Sequence, residues 1–142
     1  MAEEPIMPML PFEFIIEGPP VSVQTKRRQR LQRWKQAVNQ AARRYWPPDK
    51  AALRIALEIK ITYFYEGHTP DLDNIIKPIQ DALIGLVYQD DDQIMQTASR
   101  KKDINGAYRI RGASPVIMEG FIGGKEFLHI KIIAHEPSSD LD

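Results

Sequence analysis

The period-two run from Leu53 to Tyr65 limits the possible folds of this chain more than any other stretch. Its odd positions read Leu, Ile, Leu, Ile, Ile, Tyr and Tyr, while Arg54, Glu58, Lys60 and Thr62 occupy even ones. Alternation of that length, rich in β-branched and aromatic side chains, predicts a strand with one face on a core. After the loop Glu66-Gly67-His68-Thr69-Pro70, apolar residues recur at Ile75, Ile76, Ile79, Leu83 and Leu86, one side of a helix. Pro78 predicts a helix start at about Ile75. An interior proline has no N–H to donate and clashes with the carbonyl four residues back, whereas the first turn tolerates it. That start places Asp71, Asp73 and Asn74 on the loop leading into the helix, whose positive end favours ionised carboxylates.

The remaining chain predicts further elements on the same reasoning. Phe12, Phe14 and Ile16 alternate with Glu13, Ile15 and Glu17 in a first strand that ends at Gly18-Pro19-Pro20. Leu31, Trp34, Val38, Ala41 and Tyr45 recur at steps of three and four, a helical stripe stopped by Pro47-Pro48. Trp34 and Trp46 are read as core residues. A turn and short strand are expected over Gly85 to Tyr88, and Gly123-Gly124 reads as a hairpin turn into a strand from Phe127 to Ala134. Strands interspersed with helices make this an α/β chain. At 142 residues it is expected to form one domain over 1–142, with 1–10 and 136–142 as flexible tails.

Composition narrows the chemistry. The chain has no cysteine, which excludes disulfides, thiolate zinc sites and Cys nucleophiles and agrees with a reducing compartment. Its first ten residues, MAEEPIMPML, do not read as a signal peptide, and no apolar stretch approaches the ~20 residues of a membrane span. A cytoplasmic protein is the expectation.

The formal net charge of zero hides two opposed blocks. Between Gln24 and Trp46 lie eight basic residues, Lys26, Arg27, Arg28, Arg30, Arg33, Lys35, Arg43 and Arg44, and no acidic one. They fall mostly off the apolar stripe, so the polar face of the helix is open to phosphates. Between Asp71 and Asp92 the balance reverses, with six aspartates against the single Lys77. This is the arrangement expected when one block attracts phosphates and the other collects divalent cations for their cleavage, although the basic block read alone is equally a solvated helix face.

Hard oxygen donors grouped around one ammonium suit a magnesium-type ion set against a phosphodiester. Read alone, Asp71-x-Asp73-Asn74 is equally a helix cap with an Asx-turn. The second cluster, Asp90-Asp91-Asp92, shifts that balance, because three consecutive aspartates repel one another unless a cation or basic partner is near. Lys77 stands at helical spacing from Asp73 and from Asp81, and Asp81 is read as structural. Two tempting motifs fail. An EF-hand loop opening at Asp71 would need Gly where Ile76 stands and Glu where Ala82 stands. A phosphate-binding loop ending at Lys125 would need Gly at Glu119 and Ser or Thr at Glu126. His68, His129 and His135 do not form a ligand cluster by spacing.

With these residues in place, the run DLDNIIKPIQDAL followed by Asp90-Asp91-Asp92-Gln93-Ile94 resembles the signature of the RusA-type Holliday junction resolvases, the crossover junction endodeoxyribonucleases. That signature reads Asp-x-Asp-Asn, a Lys four residues after the second Asp, then Asp-Ala-Leu, then Asp-Asp-x-Gln. The resemblance implies a single small RusA-like domain, a mixed α+β sheet with helices packed on it. It also implies a homodimer that binds four-way DNA junctions and makes paired symmetric nicks with Mg²⁺, or with Mn²⁺ in its place. By residue it assigns Asp71, Asp73 and Asp91 as catalytic carboxylates and metal ligands, Lys77 as the catalytic lysine, and Asn74 and Asp90 as supporting neighbours. Lys26, Arg27, Arg28, Arg30, Arg33 and Lys35 are then expected to grip DNA. The chain departs from the family in its first loop, Pro19-Pro20-Val21-Ser22-Val23-Gln24, which lacks the usual Asn, and in a longer segment from Lys101 to Gly120. Two other classes fit parts of the pattern: a non-catalytic DNA-binding module, which needs only the basic block, and a metal-dependent nucleotide phosphohydrolase, which needs only the acidic one.

Overall fold

The alternating runs become a four-stranded sheet in the computed structural model, which describes residues 10–68, 71–106 and 112–138. Its strands are β1 (Phe12–Glu17), β2 (Leu57–Tyr65), β3 (Ile94–Asp103) and β4 (Phe127–Ala134), in the spatial order β1-β4-β2-β3. β4 runs antiparallel to both neighbours, whereas β2 and β3 are parallel. A parallel pair cannot be joined by a tight hairpin and needs a crossover, here supplied by helix α2 (Leu72–Leu83). The acid-rich segment is therefore the crossover of a β-α-β unit.

The α2 helix and α1 (Arg28–Arg43) cover one face of the sheet. There Phe12, Phe14, Leu57, Ile59, Ile61, Tyr63, Leu128, Ile130 and Ile132 meet Leu31, Trp34 and Val38 of α1 and Ile75, Ile79 and Leu83 of α2, all buried. Trp46 is buried as well, its ring edge-on to Phe12 and its indole N–H donating to the Lys50 carbonyl at 3.2 Å. A third helix, α3 (Pro115–Ile122), stacks aromatic rings on the opposite face. Phe121 and Phe127 lie 5.0 and 4.7 Å from Phe64, centroid to centroid. Gly120 makes this approach possible, since a Cβ there would stand 2.3 Å from the Phe127 ring. The result is a single small α+β domain with a mixed sheet.

The structure corrects several expected boundaries. β2 begins at Leu57, because the preceding residues leave the sheet: Leu53 N–H donates to Val87 O at 2.8 Å, and the Gln93 amide donates to the carbonyls of Leu53 and Ile55. Gly85 to Tyr88 is a turn carrying isolated bridges from Tyr88 to Leu53 and Ile84, not a strand. Gly123-Gly124 closes α3 instead of a hairpin, with Gly124 at φ 71° turning the chain into β4. The segment from Lys101 to Gly120 holds the end of β3 and most of α3. The expected tails lie largely outside the described residues, at 1–9 and 139–142, while Leu10 packs against the core.

The α2 helix also starts earlier than expected, at Leu72, with Pro78 well inside it. Pro78 leaves the Asn74 carbonyl without its helical donor. Val23 N–H, from the loop after β1, donates to that oxygen at 2.8 Å, so the bond missing inside the helix is made from outside.

Beneath α3, His129 is buried and its Nε2 lies 3.3 Å from Glu13, which also accepts a bond from the Ser114 hydroxyl. Burial pushes the imidazole pKa down, and the Glu13 carboxylate only partly offsets that effect. The unfolded chain then takes up a proton near the ordinary histidine value of ~6.5 while the folded one resists it. This contribution to stability is present above that value and is lost as pH falls through it. The melting temperature is expected to drop between neutral pH and pH of about 5.5, and His129→Gln is expected to flatten that slope. An equally steep slope in the variant would assign the pH dependence elsewhere.

Candidate functional site

Asp73, Lys77 and Asp81 recur every four residues along α2, so they lie on one face of the helix. Asp71 occupies the N-cap in an extended conformation, and its side chain makes no capping bond. Asp73 and Asn74 sit in the first turn of the helix, not on the loop before it, as follows from the earlier start at Leu72. Both Asp71 and Asp73 are exposed, and among the described residues neither carboxylate has a hydrogen bond or ion pair. They stand beside the unpaired N–H groups of the helix start, where negative charge is stabilised.

The second acidic cluster is fixed by one amide. Asp90 caps a short 3₁₀ turn, Asp91–Gln93, in a reciprocal capping box. The Gln93 side-chain oxygen accepts from the N–H groups of Gln89 and Asp90, at 2.9 and 3.1 Å, while its nitrogen reaches the carbonyls of Leu53 and Ile55, each at 2.9 Å. Gln93 thus ties the aspartate turn to the chain ahead of β2. This role was missed at the sequence level, although the Asp90-x-x-Gln93 spacing is a recognisable capping-box signal.

Lys77 spans the two clusters. Its ammonium donates to Asp81 Oδ1 at 2.8 Å and to Asp91 Oδ2 at 3.0 Å. Those bonds raise the Lys77 pKa, Asp81 first, and the Lys77 bond holds the Asp91 carboxyl below the usual carboxylate range, with Asp90 helping. Both groups are therefore charged throughout the neutral range. The repulsion expected among Asp90, Asp91 and Asp92 is relieved by a basic partner from the facing helix. Behind them the buried Tyr88 hydroxyl donates to Gln80 O at 2.6 Å, and burial together with the negative charge of Asp81 and Asp91 raises its pKa.

The basic block divides in two. Lys26, Arg27, Arg28, Arg30 and Arg33 are exposed, and Arg27 and Arg28 open α1 with no acidic residue in its first turn. Positive side chains at the positive end of a helix oppose its dipole, so this end carries uncompensated charge. Lys35 instead is half-buried, its Nζ 3.8 Å from Asp81 Oδ2. Arg44 pairs with Glu119 of α3 at 3.7 Å.

The structure therefore brings Lys77, Asp81 and Asp91 into direct contact and leaves Asp71 and Asp73 unclaimed one turn away along α2. Among the described residues no three His, Asp or Glu side chains gather closely enough to form a metal-binding group by themselves. The donor set nevertheless suits a hard cation. Mg²⁺ keeps several waters and is bound through one or two carboxylates plus substrate phosphate, so it does not require an all-protein cage.

Among the described residues no helix is long and apolar enough to cross a membrane. The sequence model of the family described as Endodeoxyribonuclease RusA matches residues 18–111. That span runs from the turn after β1 past the end of β3 and so contains every candidate site residue named from the sequence. No curated protein matches the chain.

Proposed function

The chain belongs to the RusA family of endodeoxyribonucleases, and from that premise we propose that it resolves four-way DNA junctions by paired symmetric nicks that require Mg²⁺ or Mn²⁺. The observation that best supports this reading is Lys77, held charged against Asp91 on the α2 face that also bears Asp73.

Asp71, Asp73 and Asp91 would hold the ion through carboxylate oxygens, with Asn74 and Asp90 fixing the backbone around them. A bound divalent ion supplies charge against the scissile phosphate and a water acidic enough to attack at neutral pH. Lys77 places a mobile point charge where negative charge grows on the phosphoryl oxygens during attack. Its existing bonds to Asp81 and Asp91 keep the ammonium at the site before substrate arrives. The exposed residues Lys26, Arg27, Arg28, Arg30 and Arg33 at the start of α1 would take DNA phosphates, which positions the strand without reading its bases. Cutting two strands symmetrically suits a C2 dimer with one site per protomer. A lack of cysteine agrees with action in the reducing cytoplasm.

Nicking of four-way, three-way and linear DNA, measured with and without Mg²⁺ and beside hydrolysis of a mononucleotide, tests the proposal. The expected result is Mg²⁺-dependent cleavage of the four-way junction at paired positions, well above that of linear DNA. Junction binding without nicking would point to a DNA-binding module, and turnover of the mononucleotide alone to a phosphohydrolase.

A further inference from the structure

The partners of Lys77 are not the ones that helix geometry favours. On a helix the better charge order at four-residue spacing places the acid N-terminal to the base, which would pair Lys77 with Asp73. Lys77 instead reaches forward to Asp81, the weaker order, and across to Asp91. Asp81 is placed to hold it there. Its carboxylate is three-quarters covered and lies between two ammonium groups, Lys77 at 2.8 Å from one oxygen and Lys35 of α1 at 3.8 Å from the other. The α1–α2 contact at this point is buttressed by the Asn39 amide, which donates to Ala82 O at 2.9 Å.

We propose that Asp81 is a positioning residue: anchored to α1 through Lys35, it draws the Lys77 ammonium away from Asp73 and sets it beside Asp91. The inference rests on the catalytic reading of Lys77 given above. Asp81 need touch neither the substrate nor an ion. Its charge leaves Asp73 free for other work and holds Lys77 on station when Asp91 is engaged elsewhere. Without it, the nearest acid on the same face of α2 is Asp73, one turn back, and the lysine would neutralise a carboxylate needed for cleavage.

The test is a double-mutant cycle on the full chain, with Asp81→Asn, Lys77→Ala and the two combined. Single-turnover nicking of a four-way junction in Mg²⁺ is read beside junction affinity and melting temperature. Asp81→Asn keeps the side-chain shape and is expected to lower the nicking rate about 10- to 100-fold, the scale of a misplaced reacting group, with affinity unchanged. In the Lys77→Ala background the same change is expected to alter the rate by less than about threefold, because the group it positions is gone. Asp81→Glu, which keeps the charge, is expected to recover most of the rate lost in the Asn variant.

Losses that simply multiply in the double variant would overturn the inference, as would a wild-type rate for Asp81→Asn or equal losses for Asn and Glu. A Lys77→Ala chain that nicks normally would instead bring down the catalytic reading of Lys77, and the inference with it.

Discussion

Lys77→Ala is expected to slow junction cleavage by roughly 10²- to 10³-fold, equivalent to about 3–4 kcal/mol in the barrier, while the junction stays bound. The ammonium is half-exposed and already charged, so its value lies in where it stands. In the structure it serves Asp81 and Asp91; in the proposed mechanism negative charge accumulates on the phosphoryl oxygens as attack proceeds, and the same donor would meet a stronger demand. An interaction that strengthens only during reaction raises the rate and leaves binding alone. Asp73→Asn is expected to act in parallel by removing an ionised carboxylate next to the helix start. Affinity should survive both changes, because the charges proposed to take phosphates lie in and just before the first turns of α1. Gel-shift affinities measured beside single-turnover rates check the split. Equal loss of binding and cutting would show that Lys77 and Asp73 are DNA contacts or structural supports instead.

The second large effect concerns salt. If Lys26, Arg27, Arg28, Arg30 and Arg33 each neutralise one phosphate, log affinity should fall against log salt with a slope of about −4.5, taking about −0.9 per contact. A fourfold rise from about 50 to 200 mM then weakens binding roughly 500-fold, on junction and linear DNA alike. Replacing Arg28 and Arg30 by glutamine should lower the slope by about two and leave cleavage of saturated junction nearly unchanged. Lys35 is expected to contribute little to that slope, since it faces Asp81. A flat salt response would exclude the start of α1 as the DNA face.

Elements whose side chains obey one period were legible in the sequence. The Leu31, Trp34 and Val38 stripe is buried in α1 as expected, and β4 spans the residues read for it, Phe127 to Ala134. Errors arose where a partner distant along the chain overrode a local rule. Pro78 argued for a later start to α2, but Val23 donates the hydrogen bond that makes the longer helix tolerable. Alternation argued for a strand from Leu53, but Gln93 and Val87 claim the backbone of that stretch. The residues of α3 form an apolar run without periodicity, and the Gly123-Gly124 pair that reads as a hairpin turn instead closes this helix. Its local signal was present in Ser114 followed by Pro115, a capping residue and a first-turn proline. At the site, the residue types and their order were readable, and the direct Lys77–Asp91 contact fits them. The anchoring of Asp81 by Lys35 joins two helices far apart along the chain, and no spacing rule reports it.

The hydrogen bond from Val23 to Asn74 links two tasks that the sequence keeps apart. The loop that feeds the arginine-rich start of α1 is pinned to the first turn of α2, the turn that carries Asp73 and follows the Asp71 cap. A regular residue in place of Pro78 would let the helix satisfy itself and release that loop. What looks like a flaw in a helix is thus the rivet between the part of the molecule proposed to grasp a strand and the part proposed to sever it.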